Sequence, residues 1–120
     1  MLPLAHRLHR RDFELIYERG DRFHSQYFKL RRWLDPTTTG QPARIGIVVS
    51  KKIAKLATQR NRLKRQIRAM LLPYLPQLKP DLQIIVTITS VTDPVSFHEL
   101  AGDLHKLLLK AEVLEVGDGS

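Results

Sequence analysis

The segment Ser50 to Arg68, SKKIAKLATQRNRLKRQIR, holds the densest set of groups able to do chemistry. Its chemistry is recognition. A guanidinium offers paired donors to phosphate oxygens, and an ammonium offers a compact charge. Residues 36–80 contain ten Lys or Arg and no Asp or Glu, whereas residues 81–120 contain two Lys and seven acids, and the whole chain carries +8. Ordinary surfaces mix both signs. A one-sign field attracts polyanions and releases their counterions. The bland alternative is a solvated charged face, but a helix without acids gains no i,i+4 pairs. Nucleic acid is therefore the leading partner. An anionic membrane is the weaker one, since a peripheral helix needs a broad apolar face with aromatic anchors.

Groups for bond-breaking chemistry are sparse. His98 and His105 lie seven apart without a third ligand at metal spacing, and His6, His9 and His24 are isolated. Asp12, Glu14 and Glu18 read as helix charge balance among arginines. Gly46 stands alone inside an apolar run, where it suits close backbone approach better than a phosphate loop. No catalytic and no metal-binding residue is expected. Without cysteine there is no disulfide or thiolate site, which fits a reducing cytoplasm. No apolar run reaches the ~20 residues of a membrane span, and Met1 to Arg11 lacks a signal-peptide stretch.

The elements that must position these groups follow from periodicity. A first helix is predicted over Arg10 to Arg19, ending at Gly20, with Phe13, Ile16 and Tyr17 on one face. Residues 22–34 alternate as one or two strands. Asp35 to Pro42 reads as a loop, Arg44 to Ser50 as a strand, and 54–72 as a long helix stopped by Pro73 and Pro76. On that helix Leu56, Leu63, Ile67, Met70 and Leu71 form an apolar stripe. Lys64, Asn61, Arg65 and Arg68 lie opposite, with Arg60 on the border and Arg62 on the other flank. Leu82 to Thr89 is a buried strand. Pro94 and Ser96 introduce a last helix to Lys110, with Ser96 and Glu99 in capping-box spacing. Glu112 to Ser120 is expected to fray. The prediction is one α+β domain over 1–120, ordered αβββαβα, a two-layer sandwich with helices packed on one mixed sheet.

Arg60-Asn61-Arg62-Leu63-Lys64-Arg65, preceded by Ser50-Lys51-Lys52, resembles the Arg-Asn-Arg signature of the bacterial ribonuclease P protein family. Ala43 to Lys52 resembles the strand and loop leading into it, and Arg11-Asp12-Phe13 with Tyr17 and Gly20 resembles the family's first helix. The likeness covers roughly residues 7–110. It implies a fold like the second domain of ribosomal protein S5, with a left-handed βαβ crossover that ordinary chirality would not suggest. It also implies a non-catalytic subunit that helps a catalytic RNA remove the 5′ leader from precursor tRNA, with Mg²⁺ held mainly by that RNA. By resemblance, Lys51, Lys52, Arg60, Asn61, Arg62, Lys64, Arg65 and Arg68 face ribonuclease P RNA, and DNA is not expected as a partner.

The same resemblance implies a leader cleft with Phe13, Tyr17, Lys29 and Arg31. Read from the residues alone, Phe13 and Tyr17 suit a core equally well, and Lys29 and Arg31 a solvated sheet face. Two departures weaken parts of the carry-over. The aromatic that the family often places near Arg31 is replaced by basic residues, and Thr87 to Thr89 lacks the usual basic residue. Two rival readings are a ribosomal or RNA-chaperone protein, which would copurify with ribosomal RNA, and a nuclease with a cryptic metal site, which would cleave precursor tRNA alone.

Overall fold

The computed structural model describes residues 6–90 and 96–115, with the Arg10 side chain excepted. Pro94 and residues 116–120 lie outside the described residues. A 3-10 turn at Arg10–Asp12 leads into α1 (Phe13–Arg19), followed by β1 (Asp21–His24), β2 (Phe28–Leu34), β3 (Arg44–Val48), α2 (Ala57–Leu71), a 3-10 segment Leu72–Gln77, β4 (Leu82–Ile88) and α3 (Phe97–Lys110). This is the expected α+β class and element order.

The sheet runs β1-β2-β4-β3. β1 and β2 are antiparallel, as are β2 and β4, whereas β3 and β4 are parallel with α2 as the crossover. Alternation along a strand assigns the two faces. Phe23, Phe28, Leu30, Ile45, Ile47, Leu82, Ile84, Val86 and Ile88 share one face and join the main core. That core is closed by Ile67, Met70 and Leu71 of α2 and Leu100, Leu104, Leu107 and Leu108 of α3. Full burial of each such aliphatic side chain is worth about 1.5–3 kcal/mol. Helix α1 packs on β2 and β4 from the opposite face, where Ile16 and Ile85 are both buried outside the main core. Two helices therefore form the second layer, and the third covers only part of the far face.

Two local expectations change, at Leu56 and in the C-terminal tail. Leu56, expected in the apolar stripe, has extended backbone as the N-cap of α2 and is 60% exposed. The helix begins after it, so helical periodicity does not govern it. Gly20 ends α1 as expected, with extended backbone at φ −74° and ψ 148°. Its need for glycine is steric, because a Cβ would sit 2.6 Å from the Ile16 carbonyl oxygen and 3.2 Å from that of Arg32.

The tail does not fray at Glu112. Glu112 takes φ 55°, its N–H donates to the Leu109 carbonyl (3.1 Å) and the Val113 N–H to that of Leu108 (3.4 Å), a Schellman cap. Val113 is buried, and Glu115 N–H donates to the Gln77 carbonyl at 2.6 Å. Ser96 caps α3 as expected, its hydroxyl accepting the Glu99 N–H at 3.0 Å.

Candidate nucleic-acid interface

The loop after β3 and the helix that follows present the basic residues. Lys51 and Lys52 are exposed in the turn after Ser50, whose carbonyl accepts the N–H groups of Ile53 and Ala54 at 3.1 Å each. Arg60 is half-buried, and its Nη1 donates to the carbonyls of Ala54 (3.0 Å) and Lys55 (2.9 Å). Its guanidinium thus straps the loop to the first turn of α2. Asn61, Arg62 and Arg65 are exposed. No acid stands in that first turn, and none of these arginines is ion-paired among the described residues. Cations early in a helix oppose its dipole, so this surface favours an anionic partner.

Lys64 and Arg68 are half-buried and turn toward β3, an edge strand. They border a hollow of about 280 Å³ with Arg7, Leu8, Phe13, Ile45, Gly46 and Ile47. A neighbouring open groove of about 650 Å³ is lined by Leu8, Phe13, Tyr17, Ile47, Val48, Val49 and Lys64. Phe13 lies against Gly46, where a Cβ would overlap its Cζ and sit 2.9 Å from Cε1. The isolated glycine thus permits the close approach that its place in the strand suggested. Tyr17 is 38% exposed and outside the core. Arg31 holds it from β2, with Nη1 donating to the Tyr17 carbonyl at 2.7 Å and the guanidinium 4.7 Å above the ring centroid. Both aromatics line a groove, and the structure brings Lys64 to both of them and Arg68 to Phe13. Lys29 is exposed on the same sheet face as Arg31.

Several supports were not legible as such. The N-terminal segment runs beside β3 through an Arg7–Ile45 bridge and a Leu8 N–H to Ile45 carbonyl bond of 3.2 Å, adding Leu8 to the groove. The Asp103 carboxylate on α3 accepts from the Ser25 hydroxyl (2.6 Å) and the N–H groups of Gln26 (3.2 Å) and Tyr27 (2.9 Å), clamping the β1–β2 turn. The loop of residues 36–42 is organised by two acids, Asp35 at its start and Asp81, just before β4, against its middle and far end. Asp35 accepts from the Thr37 hydroxyl and N–H and from Gln83 Nε2. Asp81, at φ 66°, accepts from the Thr38 hydroxyl and the N–H groups of Gly40 and Gln41. The Thr37 bonds hold Asp35 below the usual carboxylate range, against partial desolvation and the nearby Asp81 charge. The Gln41 N–H does the same for Asp81, with Thr38 and Gly40 adding to it.

Among the described residues no three His, Asp or Glu side chains gather as a metal site, and no helix is long and apolar enough to cross a membrane. The family model described as Ribonuclease P matches residues 2–112. A ribonuclease P protein component from Pseudanabaena sp. is 50% identical over 115 residues, covering 95% of this chain and 97% of that protein. Its counterpart from Microcystis aeruginosa is 39% identical over 116 residues, covering 94% and 96%. Among solved structures, the RNase P protein from Thermotoga maritima is 29% identical with TM-score 0.74, covering 87% of this chain and 96% of that one. A Staphylococcus aureus RNase P protein mutant is 26% identical with TM-score 0.80, covering 92% and 91%.

Proposed function

The chain belongs to the ribonuclease P protein family, whose role is in tRNA processing, and from that premise we propose that it is the non-catalytic protein subunit of a cytoplasmic ribonucleoprotein. It binds a catalytic RNA and the 5′ leader of precursor tRNA, and assists endonucleolytic removal of the leader. The observation that carries this reading is the meeting of aromatic and basic groups at one sheet edge. Phe13 and Tyr17 border an open groove with Lys64, and Arg31 lies over Tyr17. Unpaired bases offer faces of any identity for stacking, and phosphates take the cations. A precursor differs from mature tRNA by a single-stranded leader, so such a groove discriminates between the two.

The exposed residues Lys51, Lys52, Asn61, Arg62 and Arg65 serve the catalytic RNA. Arg60 positions the loop that presents the two lysines, and Lys64 and Arg68 stand between the two surfaces. Mg²⁺, held mainly by the RNA, supplies the phosphodiester chemistry. The chain's own residues bind and orient RNA.

The test is reconstitution with a bacterial ribonuclease P RNA at low Mg²⁺. The protein alone should be inactive and should restore cleavage by the RNA. Tyr17→Ala should weaken precursor binding on the order of 1–3 kcal/mol for a lost stack, with mature tRNA binding and melting temperature little changed. Turnover by RNA-free protein, or equal losses for precursor and mature tRNA, would overturn the reading.

A further inference from the structure

The open face of the sheet continues beyond the groove. Strand register sets His24, Lys29, Thr87 and Val48 in one row across the four strands, and Arg22, Arg31, Ile85 and Gly46 in the next. Phe13 lies over the Gly46 end of the second row, and Tyr17 borders the groove beside Val48. At the other end Arg22, His24 and Lys29 are exposed. Arg22 stands directly opposite Arg31 on the neighbouring strand. Like charges directly opposite destabilise a strand pair. None of Arg22, Lys29 and Arg31 is ion-paired among the described residues, and the Arg32–Asp21 pair involves side chains that alternate to the other face. A hollow of about 120 Å³ lies among Arg22, His24, Lys29 and Arg31. Arg31 joins it to the groove, since the same guanidinium lies over the Tyr17 ring.

We infer that the single-stranded RNA track runs past β2 to the free edge of the sheet, where Arg22, with His24 beside it, holds phosphates of the leader distal to the stacked bases. This rests on the reading of the Tyr17 groove as a leader site. A strand leaving Tyr17 along the sheet meets Arg31, then Lys29 and Arg22, and neither of the two rows of sheet residues contains a carboxylate. From β3 to β1 the sheet spans three strand spacings, ~14 Å, room for a few extended nucleotides. An anionic backbone there relieves the Arg22–Arg31 repulsion, and Arg22 at the edge strand is free to follow a flexible chain.

The experiment uses the reconstituted holoenzyme and precursor tRNAs whose leaders lengthen one nucleotide at a time. Arg22→Ala should bind short-leader precursors as the unaltered protein does. Once the leader reaches β1, the variant should lose roughly tenfold to a hundredfold in affinity, as expected for a charge-assisted contact. The salt slope should fall by about 0.7 for that contact. Arg22→Gln, which keeps a polar side chain without charge, should behave alike, and neither variant should lower the melting temperature, because losing Arg22 removes its repulsion with Arg31. Tyr17→Ala should lose affinity at every length that fills the groove. If Arg22→Ala matches the unaltered protein at all lengths while Tyr17→Ala does not, the track ends at β2, the inference fails, and the groove reading stands. Equal losses at all lengths and for mature tRNA would assign Arg22 to another contact and overturn the inference. If neither variant distinguishes precursor from mature tRNA, the groove reading fails and takes the extension with it.

Discussion

Gly46→Ala adds a single methyl group, yet it should reach the RNA site through Phe13. The new Cβ would overlap Phe13 Cζ, approach Cε1 to 2.9 Å and lie 3.2 Å from Leu8 Cδ2. The helix cannot simply lift, because Ile16 three residues on is fully buried. The ring is the movable end of its side chain, so it should swing out into the groove. Overpacking of this kind costs about 1–3 kcal/mol, and relief of glycine's strand penalty returns about 0.5–1 kcal/mol. The net destabilisation should fall at about 0–2.5 kcal/mol, centred near 1 kcal/mol, read by urea denaturation. Affinity for precursor tRNA should fall more than affinity for mature tRNA, because the displaced ring blocks the stacking surface. Adding Phe13→Leu should restore much of the stability by removing the clash, but not the precursor affinity, since no aromatic face is left there. Stability and precursor affinity both unchanged in Gly46→Ala would refute the placement of Phe13 against the strand.

Two contrasts test the neighbouring assignments. Arg65→Ala should weaken binding to the catalytic RNA and lower its salt slope by about 0.7–0.9 without moving the melting temperature. Arg60→Ala should also destabilise the protein, by about 1–2 kcal/mol, through its bonds to the Ala54 and Lys55 carbonyls. Identical melting curves for the two variants would remove the strap. Asp81→Asn keeps a residue tolerant of φ 66° and removes the charge. Because the folded-state pKa of Asp81 is depressed, its contribution is present above the ordinary carboxylate value, about 3.9, and is lost as pH falls through the lower folded value. The stability difference between the two proteins should therefore be full at neutral pH and vanish in acid. A difference that is constant across that range would mean the carboxylate charge does not hold the loop.

What could be read from the chain alone divides by the range of the interactions involved. Alternation and helical spacing are local, so the strands at 44–48 and 82–88 and the apolar side of 63–71 follow from residue type. The basic face also follows, because missing carboxylates are visible by counting. Local patterns could not decide whether Phe13 and Tyr17 line a core or a cleft. That depends on which face of the sheet α1 occupies, and Phe, Ile and Tyr on one helical face suit either. The structure decides it through a distant glycine and a distant arginine, Gly46 and Arg31. Arg60 had the right type for RNA, but its carbonyl partners come from the bend before the helix. The end of α3 at Lys110 was legible, but the order beyond it was not, because Glu112 takes a left-handed position that glycine usually fills, held by the Schellman bonds and by the burial of Val113.

The placement of β3 explains why the groove forms where it does. As an edge strand beside β4, it has helix α2 on its core side, while Phe13 at the start of α1, a helix that packs on β2 and β4, reaches its open side at Gly46. The cations of α2 and the aromatics of α1 thus belong to different layers, separated by the sheet everywhere except at this edge. Lys64 and Arg68 reach past the edge to the same residues that Phe13 covers. Glycine at position 46 lets the aromatic layer sit low enough to be reached. A bound RNA strand can therefore stack on one layer while its phosphates meet the other. The sheet edge, which would otherwise invite aggregation, is partly occupied by the Leu8 segment and partly lined by the groove proposed for the leader.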